Sequence, residues 1–354
     1  MLKNLRMAKH RIIVTGSRGK SSLVRLLHAV FTANGLLPRS RITGVIPREL
    51  SPAGERVIRR TSPGHISEMK WWASQIDTEA HAIVAENSAV DPEFQPIAAQ
   101  IIGPTMAVWT NCRPDHEEIW GPGRESAFRA LIRGIPEGIP VACGTDIDVN
   151  IKALLEARGN KILNPVPLPE AYANLPRHLR ENIELASAVC RAADFPPESS
   201  LRVMASLPPD IADFRIVKKE SRRLAAAFSA NDPLSTSQLF ESTNWKPEET
   251  TMLYHHRADR TARLAAFLPW IGSLPWKRRI FTRSPNFFNN YFPAILRVFN
   301  SSIVIWNDKI QDAASFLSFW ERDGQVFGCG NVAGWPLDFL LSVWQEEMSC
   351  KFSQ

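Results

Sequence analysis

Apolar positions in the first half of the chain fall in short runs that alternate with helical periodicity. Ile12–Thr15 is a β-branched apolar run and predicts a buried strand, and Leu23–Phe31 follows with the spacing of an amphipathic helix. Ser67–Ile76, with Trp71 and Trp72, predicts a second helix. Ala82–Glu86, Thr105–Thr110 and Pro140–Cys143 predict short buried strands, and Arg180–Ala193 a helix running into Pro196 and Pro197. Arg48–Arg60 is polar and rich in Arg, Pro and Gly, so it reads as a loop or hairpin. Such alternation builds a mostly parallel sheet covered by helices.

A second alternating series starts near Leu224. Strands are expected at Leu224–Phe228, Thr251–His255, Arg279–Phe281, Ser302–Trp306 and Gln325–Cys329. Helices are expected at Ser235–Glu241, Thr261–Trp270, Pro293–Phe299 and Ala313–Trp320. The polar, basic stretch Val217–Arg223 marks the joint, giving a first domain of residues 1–217 and a smaller one of 218–354. No internal repeat or low-complexity tract interrupts the pattern.

Composition narrows the function. The 354 residues suffice for two domains, and 44% hydrophobic with 22% charged residues is an ordinary globular balance. A net charge of +6 favours acidic partners (nucleotide, polyanion, nucleic acid or membrane surface), or is simply a mildly basic surface. The five cysteines, Cys112, Cys143, Cys190, Cys329 and Cys350, form no C-x-x-C pair. That argues against a zinc site or disulfide framework and for a reducing cytoplasm. Residues 1–10 are basic without an apolar core of signal length, and no apolar run is long enough to span a membrane. Trp245, Trp270, Trp276, Trp306, Trp320, Trp335 and Trp344 concentrate in the second domain, as core residues or as an exposed cluster for a membrane partner. The basic runs Arg56–Arg60 and Lys218–Arg223 are solvated faces in the simplest case, or guides for a polyanionic chain.

The chemistry begins at Thr15-Gly16-Ser17-Arg18-Gly19-Lys20-Ser21-Ser22, between the first strand and the first helix. Glycines let backbone N–H groups turn around phosphate, Lys20 supplies positive charge for the β- and γ-phosphates, and Ser21 a hydroxyl for Mg²⁺. The loop is shorter than the usual G-x-x-x-x-G-K-[ST], since Gly16 stands three residues before Gly19. The fold class expected is therefore α/β: a P-loop-containing, mostly parallel sheet domain followed by a smaller Rossmann-like α/β domain. Ligands of such sheets sit beyond the carboxyl ends of the strands. Glu86 ends one strand, and Asn111, Asp115 and His116 follow another. Alone, Glu86 is equally a helix cap or exposed acid, and Asp115-His116 a loop ion pair. Together with Ser21 they suit Mg²⁺ bound to a nucleotide.

In this order the motifs resemble the Mur ligase superfamily of ATP-dependent amide ligases, and within it the ligase subunit of poly-γ-glutamate synthase, the capsule B type. The resemblance spans nearly the full length. Glu86 through Val90, Pro92 and Gln95 is similar to that family's Glu-Cys-Met-Ala-Val-Asn-Pro-Asp-Tyr-Gln, and Asp115-His116 through Gly121-Pro122 to its Asp-His-Met-Asp-Val-Met-Gly-Pro. Pro208-Pro209-Asp210 with Arg215 resembles its Pro-Pro-Asp-Pro and later Arg. In the second domain, Phe228 through Asn231, Asp232, Ser235 and Thr236 resembles Phe-Ala-Ala-Asn-Asp-Ala-Ser-Ser-Thr. Arg257 through Thr261 resembles Arg-Ala-Asp-Arg-Val-Asp-Arg-Thr, and Gly328 through Asn331 resembles Gly-Val-Gly-Asn.

The resemblance implies that ATP phosphorylates a carboxylate and an amine then displaces phosphate to give an amide. It implies Lys20 at the transferring phosphoryl group, Ser21 and Glu86 on one Mg²⁺, His116 on a second with Asp115 orienting it, and Arg215 reaching the γ-phosphate. Asn111, Asn182, Asn231 and Asp232 are implied nucleotide contacts, and Arg257 and Arg260 carboxylate clamps. Glu117–Gly134 contains no lysine where many Mur ligases carry a carbamylated one, and only Asn182 matches the adenine-contacting His-Asn-x-x-Asn. Capsule-type ligases usually begin with a membrane helix, which is not seen here. The expected protein is cytoplasmic, attached to the inner membrane face, if at all, through a membrane-protein partner; self-association stays open. Glutamate or a γ-glutamyl chain is the expected substrate. A single defined amide on another amino acid or metabolite, or a P-loop switch or ATPase without ligase activity, are the alternatives. Against the switch there is no guanine-reading Asn-Lys-x-Asp string, and nucleic acid is not expected because the basic residues do not interleave with aromatics.

Overall fold

The computed structural model describes residues 3–59, 64–230, 232–257, 261–282, 304–307 and 309–352. They form two compact units, Met1–Pro208 and Pro209–Gln354.

The first unit runs α1 (Lys3–Met7), β1 (His10–Thr15), α2 (Lys20–Ala33), β2 (Pro38–Ile42), β3 (Arg48–Ser51), β4 (Gly54–Val57), α3 (Ile66–Ser74), β5 (Ala82–Glu86) and α4 (Phe94–Ile102). It continues with β6 (Met106–Trp109), α5 (Glu117–Trp120), α6 (Gly123–Ile132), β7 (Val141–Cys143), α7 (Val149–Ala157), β8 (Ile162–Leu163), α8 (Arg177–Ala192) and α9 (Pro197–Ser206). Its sheet has the order β4-β3-β2-β5-β1-β6-β7-β8. All pairs are parallel except β2–β3 and β3–β4. The polar stretch after Arg48 is thus the β3–β4 hairpin.

Two apolar layers hold this sheet. Leu23, Val24, Leu26, Leu27, Val30 and Phe31 of α2 pack on one face with Ile12, Val14, Val84 and Val108. Ile13, Ile83 and Ala107 face Met69 and Trp72 of α3 and Ala98 and Ile102 of α4. Each buried Leu or Val contributes about 1.5–3 kcal/mol relative to exposure. Central β1 pairs Val14 with Glu86 and Thr15 with Trp109. That register delivers the glycine loop, Glu86 and the Asn111–His116 loop to one sheet edge.

The second unit runs β9 (Arg215–Lys219), β10 (Arg222–Ala226), α10 (Pro233–Ser242), β11 (Thr251–His255), α11 (Thr261–Ser273), β12 (Arg278–Thr282), β13 (Val304–Asn307), α12 (Ala313–Asp323), β14 (Gln325–Gly330) and α13 (Trp335–Phe352). Its sheet has the order β13-β12-β11-β14-β10-β9, parallel except for the edge pair β9–β10. Val217–Arg223, expected as the joint, lies in the β9–β10 hairpin: Leu224 pairs with Val217, which commits the segment to the second sheet. The division falls instead between Pro208 and Pro209. Trp276, Trp320 and Trp335 are buried core residues, and Trp245 lies under Arg223 at 5.2 Å. The expected helix Pro293–Phe299 and the residues Ser302, Asn231 and Arg260 lie outside the described residues, as does the side chain of Trp306. Cys112, Cys143, Cys190 and Cys329 are buried and free. Among the described residues no helix is long and apolar enough to cross a membrane.

Candidate active site

The loop after β1 is built by its glycines. Gly16 (φ 129) and Gly19 (φ 79) adopt left-handed backbone that side-chained residues avoid. A Cβ at Gly16 would stand 2.1 Å from Thr110 Oγ1, and one at Gly19 2.9 Å from Asn182 Oδ1. Gly19 caps α2, so that helix begins at Lys20 and turns its first N–H groups toward the loop. Lys20 Nζ donates to Gly16 O at 2.6 Å, curling back over the loop. Burial pulls its ammonium below the usual lysine value, while Glu86 and Asp115 pull it back up. Lys20 thus lies in the field of two carboxylates, one ending β5 and one in the loop after β6.

Glu86 is only 3% exposed. Its Oε2 accepts from Ser21 Oγ at 2.9 Å and from the Thr43 backbone N–H at 2.9 Å. It is neither an exposed acid nor a helix cap. Thr43 was not legible as a site residue, yet its hydroxyl is buried without a hydrogen-bond partner beside this pair. Gly44 follows, where a Cβ would stand 2.5 Å from Ser21 Oγ. Downstream, Asn87 N–H donates to Val14 O at 2.8 Å, and its side chain donates to Gln95 Oε1 at 2.8 Å, fixing the exit from β5. The donors gathered here are hard oxygens, which fits Mg²⁺ held by one carboxylate and a hydroxyl alongside phosphate oxygens.

The β6 exit loop is bound to the glycine loop throughout. Asn111 Oδ1 accepts from Arg18 N–H at 2.9 Å and its Nδ2 donates to Arg18 O at 3.0 Å. This amide, expected to contact nucleotide, is engaged in holding the loop. Ser17 Oγ donates to Arg113 O at 2.7 Å. Arg18 Nη1 pairs with Asp115 Oδ2 at 2.8 Å. Burial raises the Asp115 carboxyl, but Arg18, His116 and Lys20 outweigh it and hold the group below the usual carboxylate value. His116 adopts a left-handed backbone (φ 48), with Nε2 3.6 Å from Asp115 Oδ2 and Nδ1 3.6 Å from Glu118 Oε1. Among the described residues, no three His, Cys, Asp or Glu side chains gather as one metal cluster.

The other expected residues divide between the units. Thr15 is fully buried under the loop, Ser22 stands on the first turn of α2, and Asn182 of α8 lies against Gly19. Glu181, where the adenine motif has a histidine, pairs with Arg177 at 2.8 Å. In the second unit, Arg215 donates to the Asp210 carbonyl and opens β9. Asp232 caps α10 by accepting from Ser235 N–H at 2.8 Å. Arg257 follows β11 at its carboxyl end.

Residues 14–155 match the Mur ligase middle domain, and residues 211–346 match the poly-gamma-glutamate synthase CapB C-terminal domain. PGA synthase CapB of Bacillus subtilis (strain 168) is 25% identical over 290 residues, 76% of this chain and 74% of that protein. UDP-N-acetylmuramoylalanine–D-glutamate ligase of Prochlorococcus marinus is 30% identical over 129 residues, 36% of this chain and 22% of its own length. Among solved structures, E. coli FolC in complex with ADP superposes with a TM-score of 0.67 at 17% identity, covering 100% of this chain and 92% of that one. MurF from Acinetobacter baumannii gives 0.68 at 11%, covering 98% and 79%. A Yersinia pestis folylpolyglutamate synthase/dihydrofolate synthase complexed with AMPPNP and Mn ion gives 0.66 at 16%, covering 98% and 91%. With a Mur ligase middle domain followed by a CapB-type C-terminal domain, the chain belongs among the Mur-type ATP-dependent amide ligases and resembles the ligase subunit of poly-γ-glutamate synthase.

Proposed function

We propose that the protein joins the γ-carboxylate of glutamate or of a γ-glutamyl chain to an amine, consuming ATP and forming γ-glutamyl linkages. The observation that carries this is the Ser21–Glu86 pair at the mouth of the glycine loop, in a chain whose second domain matches that of CapB. The carboxylate oxygen attacks the γ-phosphorus, giving an acyl phosphate and ADP. The amine then adds to the acyl carbon and phosphate leaves with the C–O electron pair.

Lys20 exchanges the Gly16 carbonyl for phosphate oxygens and offsets charge as the phosphoryl group transfers. The α2 N-terminus and loop N–H groups hold the same oxygens. Ser21, Glu86 and Thr43 would hold Mg²⁺, which neutralises phosphate charge when bound. His116, oriented by Asp115, would hold a second ion toward the carboxylate. Arg257, with Arg260, would clamp a substrate carboxylate. CapB kinship favours γ-glutamyl product, and a membrane-protein partner belongs to the same proposal.

The test is phosphate release from ATP and Mg²⁺ across a panel of amino acids, with product mass recorded and Lys20→Ala as control. Glutamate-dependent release with a ladder of masses supports the proposal. One discrete product on another substrate assigns a single-amide ligase. Release without any amino-acid dependence assigns a nucleotide switch or ATPase.

A further inference from the structure

Arg18 lies inside the phosphate loop, but its guanidinium is committed sideways. Nη1 bonds Asp115 Oδ2 at 2.8 Å, with the two side chains 17% and 13% exposed. Its backbone is clipped on both sides by Asn111, and its carbonyl also accepts from Thr110 Oγ1 at 2.6 Å. Asp115 passes the constraint on, because its other oxygen, Oδ1, accepts the backbone N–H of His116 at 3.1 Å. His116 holds a left-handed conformation that a side-chained residue keeps only when its surroundings impose it. One carboxylate therefore ties the arginine of the phosphate loop to the strained turn that carries the imidazole.

We propose that Arg18 is a positioning residue: through Asp115 it fixes where His116 stands relative to the bound nucleotide. This rests on the ligase reading above. Removing the guanidinium frees a mostly buried carboxylate in the field of Lys20, and the His116 turn loses its anchor. Outer partners of metal-holding histidines change metal affinity or activity by about 10- to 100-fold when lost.

The experiment is a double-mutant cycle of Arg18→Met and Asp115→Asn, with Arg18→Lys as the conservative variant and thermal melting as the folding control. Three quantities are read: ADP affinity without metal, Mn²⁺ affinity of the ADP-bound protein by electron paramagnetic resonance, and turnover against Mg²⁺ concentration. Arg18→Met should leave metal-free ADP affinity within about 3-fold, weaken Mn²⁺ binding by about 10-fold or more, and move the Mg²⁺ curve to match. The double variant should lose no more than Asp115→Asn alone, and Arg18→Lys should recover part of the loss. Two results overturn the proposal. One is metal-free ADP affinity falling as far as turnover with the Mg²⁺ curve unmoved, which makes Arg18 a phosphate contact. The other is the two losses multiplying, which separates Arg18 from Asp115. Binding of ADP and Mn²⁺ is read without any amide product, so failure of the ligase reading leaves the cycle interpretable. If Arg18→Met does not fold, Arg18→Lys with Asp115→Asn carries the same comparison.

Discussion

At the carboxyl edge of the first sheet, polar groups gather around the glycine loop: Lys20 on the Gly16 carbonyl, Ser21 on Glu86, and the Thr43 hydroxyl without a hydrogen-bond partner. At the corresponding edge of the second sheet the described groups bond to one another. His255 ends β11, with Nε2 3.0 Å from Ala333 O and Nδ1 2.7 Å from Thr282 Oγ1. A carbonyl only accepts, so Nε2 carries the proton and Nδ1 accepts from the threonine. Asn331 donates to His255 O at 2.9 Å and accepts from Arg263, and the imidazole lies edge-on to Trp335. Both edges sit where parallel sheets place ligands. What separates them is what their glycines admit. Gly16 and Gly19 bring side-chain and backbone donors around a concave turn, whereas Gly330 (φ 101) lets β14 press against the His255 carbonyl. Position at a strand end is thus only permission for a site; a glycine turn that gathers a lysine, a hydroxyl and a carboxylate makes one.

The sharpest way to break this contrast is Lys20→Ala. The first edge should lose its transferable positive charge, and glutamate-dependent phosphate release should fall by about 10³-fold or more. The thermal midpoint should stay near the wild type, because Lys20 is a helix-initiating residue bonded to a loop carbonyl rather than to the core. Turnover retained within about 10-fold would remove the first edge as the reaction centre.

The glycines give the next largest effect. Gly330→Ala forces a Cβ to 2.5 Å from His255 O in left-handed backbone, so stability should fall by about 2–4 kcal/mol with ATP affinity unchanged. Gly19→Ala meets the movable Asn182 side chain, so the melting shift should be smaller while ADP affinity drops about 10-fold. Calorimetric melting and ADP titration on both variants check this. Equal loss of ADP affinity in the two would erase the distinction between a binding edge and a closed one.

Much of the first edge was legible because its signals are local. A β-branched run, glycines, Gly-Lys-Ser and a helical period lie within residues 12–31, and Glu86 ends an apolar run that could only be a buried strand. What was hidden is long-range. Thr43 meets Glu86 across 43 residues and Arg18 meets Asp115 across 97, pairings set by parallel register that no local pattern encodes. Asn111 was legible as polar and well placed, but only the structure shows its amide engaged by Arg18. The joint was misplaced because Val217–Arg223 is basic and polar, and an exposed edge hairpin has the composition of a linker.

The smallest effect asked of the comparison is acid sensitivity. Each unit holds an imidazole whose pKa its surroundings depress strongly: His28 of α2, against Ser40 of β2 at 2.9 Å, and His255 at the closed edge, at 2.7 Å from Thr282 Oγ1. Burial lowers both to about 4, from an ordinary 6.5. The unfolded chain therefore takes up a proton at each site near pH 6.5, and the folded chain only near 4. Between those values the unfolded state binds more protons, so stability falls as pH drops through the window and is unaffected above it. Each site contributes on the order of 3 kcal/mol at most across the window. Replacing either with glutamine should flatten its own share of the decline between pH 7 and 4.5, measured by chemical denaturation. His255→Gln should also cost stability at pH 7, because its ring is bonded on both nitrogens and packed edge-on to Trp335. A parallel decline in wild type and both variants would mean that the protons are taken up elsewhere.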